Sequence, residues 1–254
     1  MGRGDRYFNH QTARFRADGI GRTHYLQVYH LRRGTGSRMK WGLFGGTFDP
    51  VHFGHLRAAQ ELIELLNLDR VIFIPAAEPP HKTARVITPF EHRLQMIRLA
   101  IEDNDQFSFS DVENLRPGKS YSINTVQYFL DTQNKNLELY FITGQDAFDA
   151  ITTWHKWGKL LSLCHFAVMT RPGYDNKGLA HILPQDIAAR FVYDQQNKLF
   201  KDPHGGSVFF RKTTFLDISS SDIRERIHQG QSIRYLIPDK LIRYIEANKL
   251  YREE

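Results

Sequence analysis

The chain has 254 residues and a formal net charge of +6, and its length allows a sizeable single core. That charge resides in residues 1–38, which hold eight arginines, no lysine and two aspartates; residues 39–254 set 26 basic against 26 acidic side chains, so the body is not a basic nucleic-acid binder. The single cysteine, Cys164, excludes an internal disulfide and fits a reducing cytoplasm, and no apolar run approaches the roughly 18 residues that a membrane-spanning helix needs.

Residues 1–38 show neither helical nor strand periodicity and no long apolar stretch, so they are not a secretory signal. Their Arg-rich, acid-poor composition leaves three readings: an unstructured and dispensable extension, an organelle presequence, or a nucleic-acid arm. Residues 41–44 then read as an apolar strand, and Gly45-Gly46 breaks it, letting a ligand approach bare backbone. Asp49 is a good N-cap, Pro50 suits a first helical position, and Leu56, Ala59, Leu62, Ile63 and Leu66 follow at helical spacing. A strand, a glycine turn and a helix start make an anion site, because free N–H groups and the positive end of the helix dipole face whatever docks there. His52 and His55 lie three apart and share one face of the first turn, with Gly54 removing a Cβ that could obstruct a ligand. Two imidazoles there suit a reaction that builds charge on phosphorus oxygens. The H-E-x-x-H helix, the G-x-G-x-x-G fingerprint and the P-loop are all absent, and no metal ligand is assigned.

Residues 70–75 read as a buried strand, completing a βαβ unit. The loop after it carries His81 and Lys82, either solvated or facing a ligand at the strand's C-terminal end. Residues 89–102 form an amphipathic helix with Leu94, Ile97, Ala100 and Ile101 inside, and residues 107–112 a strand. Ser120, Tyr121 and Ser122 open the next helix, where a serine caps. Residues 137–143 are a strand ended by Gly144-Gln145-Asp146; the Asp146 carboxylate either accepts from ribose hydroxyls or caps the following helix. Trp154 and Trp157 follow, one a candidate for ring stacking and the other for the core. Residues 166–169 are a strand, 187–200 a helix without an assigned role, 202–206 a loop, and 207–210 and 214–216 strands. Ser219 and Asp222 match a capping box, with Ile223 and Ile227 inward. Arg224 near that helix start opposes the dipole, so it either brackets an anion or pairs with a surface acid. Residues 238–248 close the chain as a helix. The alternation of strands and helices gives an α/β fold, doubly wound around a mostly parallel sheet.

The run G-G-T-F-D-P-V-H-F-G-H at residues 45–55 resembles the signature of the nucleotidyltransferase superfamily that includes the class I aminoacyl-tRNA synthetases, and its full form resembles the bacterial nicotinate-nucleotide adenylyltransferases. The resemblance extends from about residue 39 to residue 252 through P-P-H-K, S-Y-S with T-V, G-x-D, R-P-G-Y and I-S-S-S-x-I-R, where the family carries S-Y-T, T-L and I-S-S-T-x-I-R. It implies a Rossmann-like fold beginning near Met39, with residues 1–38 dispensable. It implies an adenylyl transfer from ATP to nicotinate mononucleotide with magnesium carried on ATP, in which His52, His55 and Arg224 are catalytic. ATP would meet Gly45, Gly46, Thr47, Phe48, Gly54, Ser219 and Ser220 as well. Nicotinate mononucleotide would meet His81, Lys82, Ser120, Tyr121, Ser122, Asp146 and Trp154. An enzyme of the same superfamily acting on nicotinamide mononucleotide or phosphopantetheine, and a non-catalytic nucleotide-binding module, are the alternatives. Nucleic acid and membrane are not expected partners, and a homo-oligomer stays open.

Overall fold

A computed structural model describes residues 13–15, 24–26, 38–79, 87–133, 136–171, 173, 178–203 and 205–252. Within the extension, β1 (Ala13–Phe15) pairs antiparallel with β2 (His24–Leu26). Residues 1–38 read as unstructured, and strands this short escape a periodicity search. A two-stranded ribbon of this kind is marginal by itself.

The body alternates strand and helix: β3 (Met39–Gly46), α1 (Phe53–Leu66), β4 (Arg70–Pro75), α2 (Phe90–Ile101), β5 (Phe107–Phe109), α3 (Ser122–Thr132), β6 (Leu137–Gly144), α4 (Gln145–Asp149), α5 (Trp157–Leu163), β7 (His165–Thr170), α6 (Gln185–Ala188), β8 (Val192–Asp194), β9 (Leu199–Lys201), β10 (Ser207–Lys212), α7 (Ser220–His228) and α8 (Asp239–Ala247). The strands form one sheet in the order β5-β4-β3-β6-β7-β10-β9-β8. The first six are mutually parallel, and β9 and β8 add an antiparallel edge. Counted among the parallel strands the order is 3-2-1-4-5-6, so the winding reverses between β3 and β6.

Strand alternation divides the core. Val71 and Phe73 of β4 join Phe44, Ile142 and the buried faces of α1, α2, α7 and α8. Ile72 and Ile74 point the other way, to Leu43, Phe141 and the faces of α3, α4 and α5. A strand buried on both sides explains why β4 reads as an unbroken apolar run.

Three expectations fail locally. The helix after the glycine turn starts at Phe53, with extended His52 at the cap position, and not at Pro50. Asp49 is drawn elsewhere, its carboxylate accepting from the Tyr251 hydroxyl at 2.8 Å. Residues 187–200 are not a helix: α6 ends at Ala188, and β8 and β9 form a hairpin whose turn is set by Asp194 accepting from the backbone and side-chain nitrogens of Asn197, at 3.0 and 2.8 Å. Residues 214–216 are not a strand, because the Thr214 N–H donates to the Glu61 carboxylate on α1 at 2.7 Å in place of a ladder partner.

Candidate active site

The C-terminal ends of β3, β4 and β6 frame a cavity of about 410 Å³ at the reversal of strand order, where open α/β sheets bind ligands. Gly45, Gly46 and Thr47 form one wall, and Tyr121, Trp154 and His155 another. Gly46 sits close under an aromatic ring: a Cβ there would lie 3.0 Å from Phe48 and would have to push that ring aside. Phe48 itself is 2% exposed with φ at 49°, a left-handed conformation costing about 1–2 kcal/mol for a residue with a side chain. Its ring packs edge-on against Phe44, with centroids 5.5 Å apart, and so holds the turn in that conformation. Phe48 therefore offers a ligand its backbone and not its ring.

Beyond the turn the two histidines lie almost in contact, with ring centroids 3.7 Å apart. The His52 N–H donates to His55 Nδ1 at 3.3 Å, which leaves the proton of a neutral His55 on Nε2. His55 also stands edge-on to Phe44 and Phe48 at 5.9 and 5.1 Å. Burial pushes the His52 pKa down to about 4, and burial together with its neighbour His52 takes His55 well below the ordinary value. Both rings are neutral at pH 7 and act as donors without positive charge. His52 Nδ1 is shut off from solvent. Gly54 serves this ring: a Cβ there would lie 3.0 Å from His52 Nδ1. The clearance anticipated for a ligand is thus clearance for an imidazole.

The start of α7 docks on the same turn. Ser219 caps it, its hydroxyl accepting from the Asp222 N–H at 3.0 Å, as the capping box predicts. The Ser220 hydroxyl donates to the Pro50 carbonyl at 2.8 Å, and Arg224 donates to the Asp49 carbonyl at 2.6 Å and to the Ser221 hydroxyl at 3.0 Å. Two helix N-termini, those of α1 and α7, therefore meet at residues 49–52, although in α1 the Phe53 N–H already donates to the Leu236 carbonyl and the His55 and Leu56 N–H groups to the His52 carbonyl.

The chain matches the cytidylyltransferase-like family over residues 43–226. It is 45% identical over 213 residues to the probable nicotinate-nucleotide adenylyltransferase of Geobacter sp. (strain M21), covering 84% of this chain and 98% of that protein. The corresponding protein of Geobacter sulfurreducens is 43% identical over 216 residues, covering 85% of this chain and 100% of the relative. The chain belongs to the nicotinate-nucleotide adenylyltransferase family. A solved structure of Plasmodium falciparum nicotinic acid mononucleotide adenylyltransferase complexed with NaAD superposes with a TM-score of 0.63 over 84% of this chain and 97% of that one, at 18% identity, which supports the shared fold.

The cavity is lined by Gly45, Gly46, Thr47, Ser120, Tyr121, Ser122 and Trp154. His52, Gly54, His55, Ser219, Ser220 and Arg224 lie on the adjoining turn and outside the cavity wall. Asp146 is exposed on α4 and accepts from Arg171 at 3.1 Å, next to the cavity-lining Ala147. Its cap role fails, since Gly144 holds the cap position. His81 and Lys82 lie outside the described residues. The serine cap expected for α3 fails, since Tyr121 holds the cap position with no side-chain bond, and the Ser120 hydroxyl instead accepts from the Ala77 and Glu78 N–H groups at 2.9 and 3.2 Å.

Sequence reasoning passed over three residues of the site. Glu113 lines the cavity, takes a 2.7 Å bond from Thr125, and has its carboxyl pushed up by burial. His155 stacks on Tyr121 with ring centroids 4.4 Å apart. Arg93 is buried beneath the glycine turn. Only Arg93 left a trace in the pattern: it falls between Phe90 and Ile97 on the apolar stripe of α2, where a charge is out of place.

Proposed function

We propose that this protein transfers the adenylyl group of ATP to nicotinate mononucleotide, giving deamido-NAD and pyrophosphate. One observation carries the reading: Gly45-Gly46-Thr47 walls the aromatic-lined cavity on one side and runs directly into the two-helix turn of His52 and His55 on the other. A mononucleotide in the cavity and a triphosphate on the turn would meet at this shared backbone. An oxygen of the mononucleotide phosphate attacks the α-phosphorus of ATP, the new P–O bond forms, and the bond to the bridging oxygen of pyrophosphate breaks.

The attacking phosphate is already ionised at neutral pH, so the site needs no general base, and neither neutral histidine is asked to be one. Catalysis rests on positioning and on donors aimed at the developing charge. His52 and His55 supply such donors at the α- and β-phosphates. The N–H groups at the start of α7, with Ser219, Ser220 and Arg224, take the β- and γ-phosphates. Arg224 carries five N–H donors, of which the fold employs two among the described residues. Glu113, Ser122 and Thr125 give the cavity polar groups near a pyridine ring flanked by Trp154 and Tyr121.

Magnesium, carried on the triphosphate, would supply charge neutralisation there. The body from Met39 carries every described residue of this scheme.

Magnesium-dependent pyrophosphate release is measured with ATP and, in turn, nicotinate mononucleotide, nicotinamide mononucleotide, phosphopantetheine and no acceptor. Release is expected to be strongest with nicotinate mononucleotide, and equally so in a chain starting at Met39. Strongest release with another acceptor overturns the cavity assignment, and ATP binding without release overturns the enzyme.

A further inference from the structure

Arg93 is 2% exposed and is the largest fully buried side chain among the described residues. It sits one turn into α2, and its guanidinium reaches three backbone carbonyls. Nε donates to Thr88 at 2.8 Å; Nη1 donates to Thr47 at 2.9 Å and to Ala76 at 2.8 Å. Thr47 belongs to the glycine turn, while Ala76 directly follows β4 and Thr88 directly precedes the Pro89 cap of α2. Thr47 and Ala76 both line the cavity.

This arrangement does more than fill space. Burial lowers the Arg93 pKa, opposed most by Asp49, and an apolar side chain would occupy the same volume without a buried charge. What an apolar side chain cannot do is fix three carbonyls. In a trans peptide the carbonyl and the following N–H point to opposite sides. Holding the Ala76 carbonyl therefore turns the Ala77 N–H away from the guanidinium, and that N–H meets the Ser120 hydroxyl at 2.9 Å. Holding the Thr47 carbonyl likewise turns the Phe48 N–H away from the guanidinium, in the turn that would carry the triphosphate. The Ala76 N–H closes the connection by donating to the Gly46 carbonyl at 2.8 Å.

We infer that Arg93 is a positioning residue that couples the two halves of the site, so that a ligand ordering one half tightens the other. The inference rests on the proposed reaction. Coupling is reciprocal: whatever factor a triphosphate lends to mononucleotide binding, the mononucleotide lends back. The rate depends on the same joint, since a displacement of about 1 Å at the reacting groups costs roughly 10²-fold.

The test uses the full chain with Arg93→Lys and Arg93→Met. Lysine keeps a buried charge opposite Asp49 but lacks the fork that spans three carbonyls, and methionine removes the charge as well. For wild type and each folded variant, the affinity for nicotinate mononucleotide is measured by titration with and without a non-hydrolysable ATP analogue, and turnover is taken per folded molecule well below the melting temperature. Wild type should gain about 5-fold or more in affinity from the analogue. Arg93→Lys should lose that gain, with turnover down about 10- to 100-fold while each affinity measured alone moves less than about 3-fold. Independent affinities in wild type, or Arg93→Lys with normal turnover and a lowered melting temperature only, overturns the inference. Failure of the reaction itself is distinguishable, because it would show in wild type with no transfer to nicotinate mononucleotide before any residue is changed.

Discussion

The two halves of the candidate site are made of different material. The turn at residues 45–55 is backbone and buried imidazole: two glycines, Gly46 and Gly54, at which a Cβ would press on the Phe48 and His52 rings, a strained Phe48, and two neutral histidines in near contact. The cavity beside it is side-chain wall, assembled from β4, β6, α3 and the segment after α4 around aromatic faces. The first half suits phosphate, whose oxygens take N–H donors from any rigid concave backbone. The second suits a flat ring, which needs apolar faces and a few polar groups at its edge. Changes in the turn should therefore strike turnover, and changes in the wall should strike the affinity for one substrate.

The largest expected effect is on the turn. His55→Ala should lower turnover about 10²–10³-fold with little change in melting temperature, the usual consequence of losing one charge-stabilising donor. Steady-state kinetics with melting curves check this, and near-normal turnover would remove His55 from the chemistry. The next effect falls on stability. Burial holds His52 neutral in the fold with a pKa of about 4, while the unfolded chain titrates near 6.5. On acidification the unfolded chain takes up that proton first. The contribution of His52 is thus whole above pH 6.5 and is lost as pH falls toward 4, by up to about 3 kcal/mol. Melting temperatures measured from pH 7 to pH 4 should fall less steeply in His52→Asn than in wild type; parallel curves would mean that His52 is not held neutral.

The same division decides what could be read in the chain. The turn is contiguous, so Gly45, Gly46, His52 and His55 announce themselves within eleven residues, as Ser219 does through its capping box. Even there, local rules misplace the helix start, because Asp49 is claimed by Tyr251 from the far end of the chain. The parallel core is equally legible, since alternating apolar strands and amphipathic helices carry period and order. The antiparallel edge is not: the 187–200 stretch looks helical until the Asp194–Asn197 turn is seen. The cavity wall is legible only in part. Trp154 and Tyr121 stand out by residue type, but Glu113 and Thr125 become partners through a 12-residue separation that no spacing rule marks. Arg93 holds carbonyls at positions 47, 76 and 88, and carbonyls leave no signature in a sequence.

The mildest test sharpens the contrast most. Trp154 lines the cavity and stands edge-on to Phe141, centroids 5.7 Å apart at 75°, so part of the indole is anchored in the core while part borders the open volume. Stacking of a flat ring on an aromatic side chain contributes roughly 1–3 kcal/mol. Trp154→Ala should therefore raise KM for nicotinate mononucleotide about 10-fold. KM for ATP should move less than about 3-fold, because the histidine turn lies outside the cavity that Trp154 walls. Trp154→Phe, which keeps an aromatic face, should recover most of the loss. A recovery by phenylalanine, with ATP untouched throughout, assigns the indole to ring recognition. Equal losses for both substrates, unrelieved by phenylalanine, would mean that Trp154 merely props the wall and does not recognise a ring.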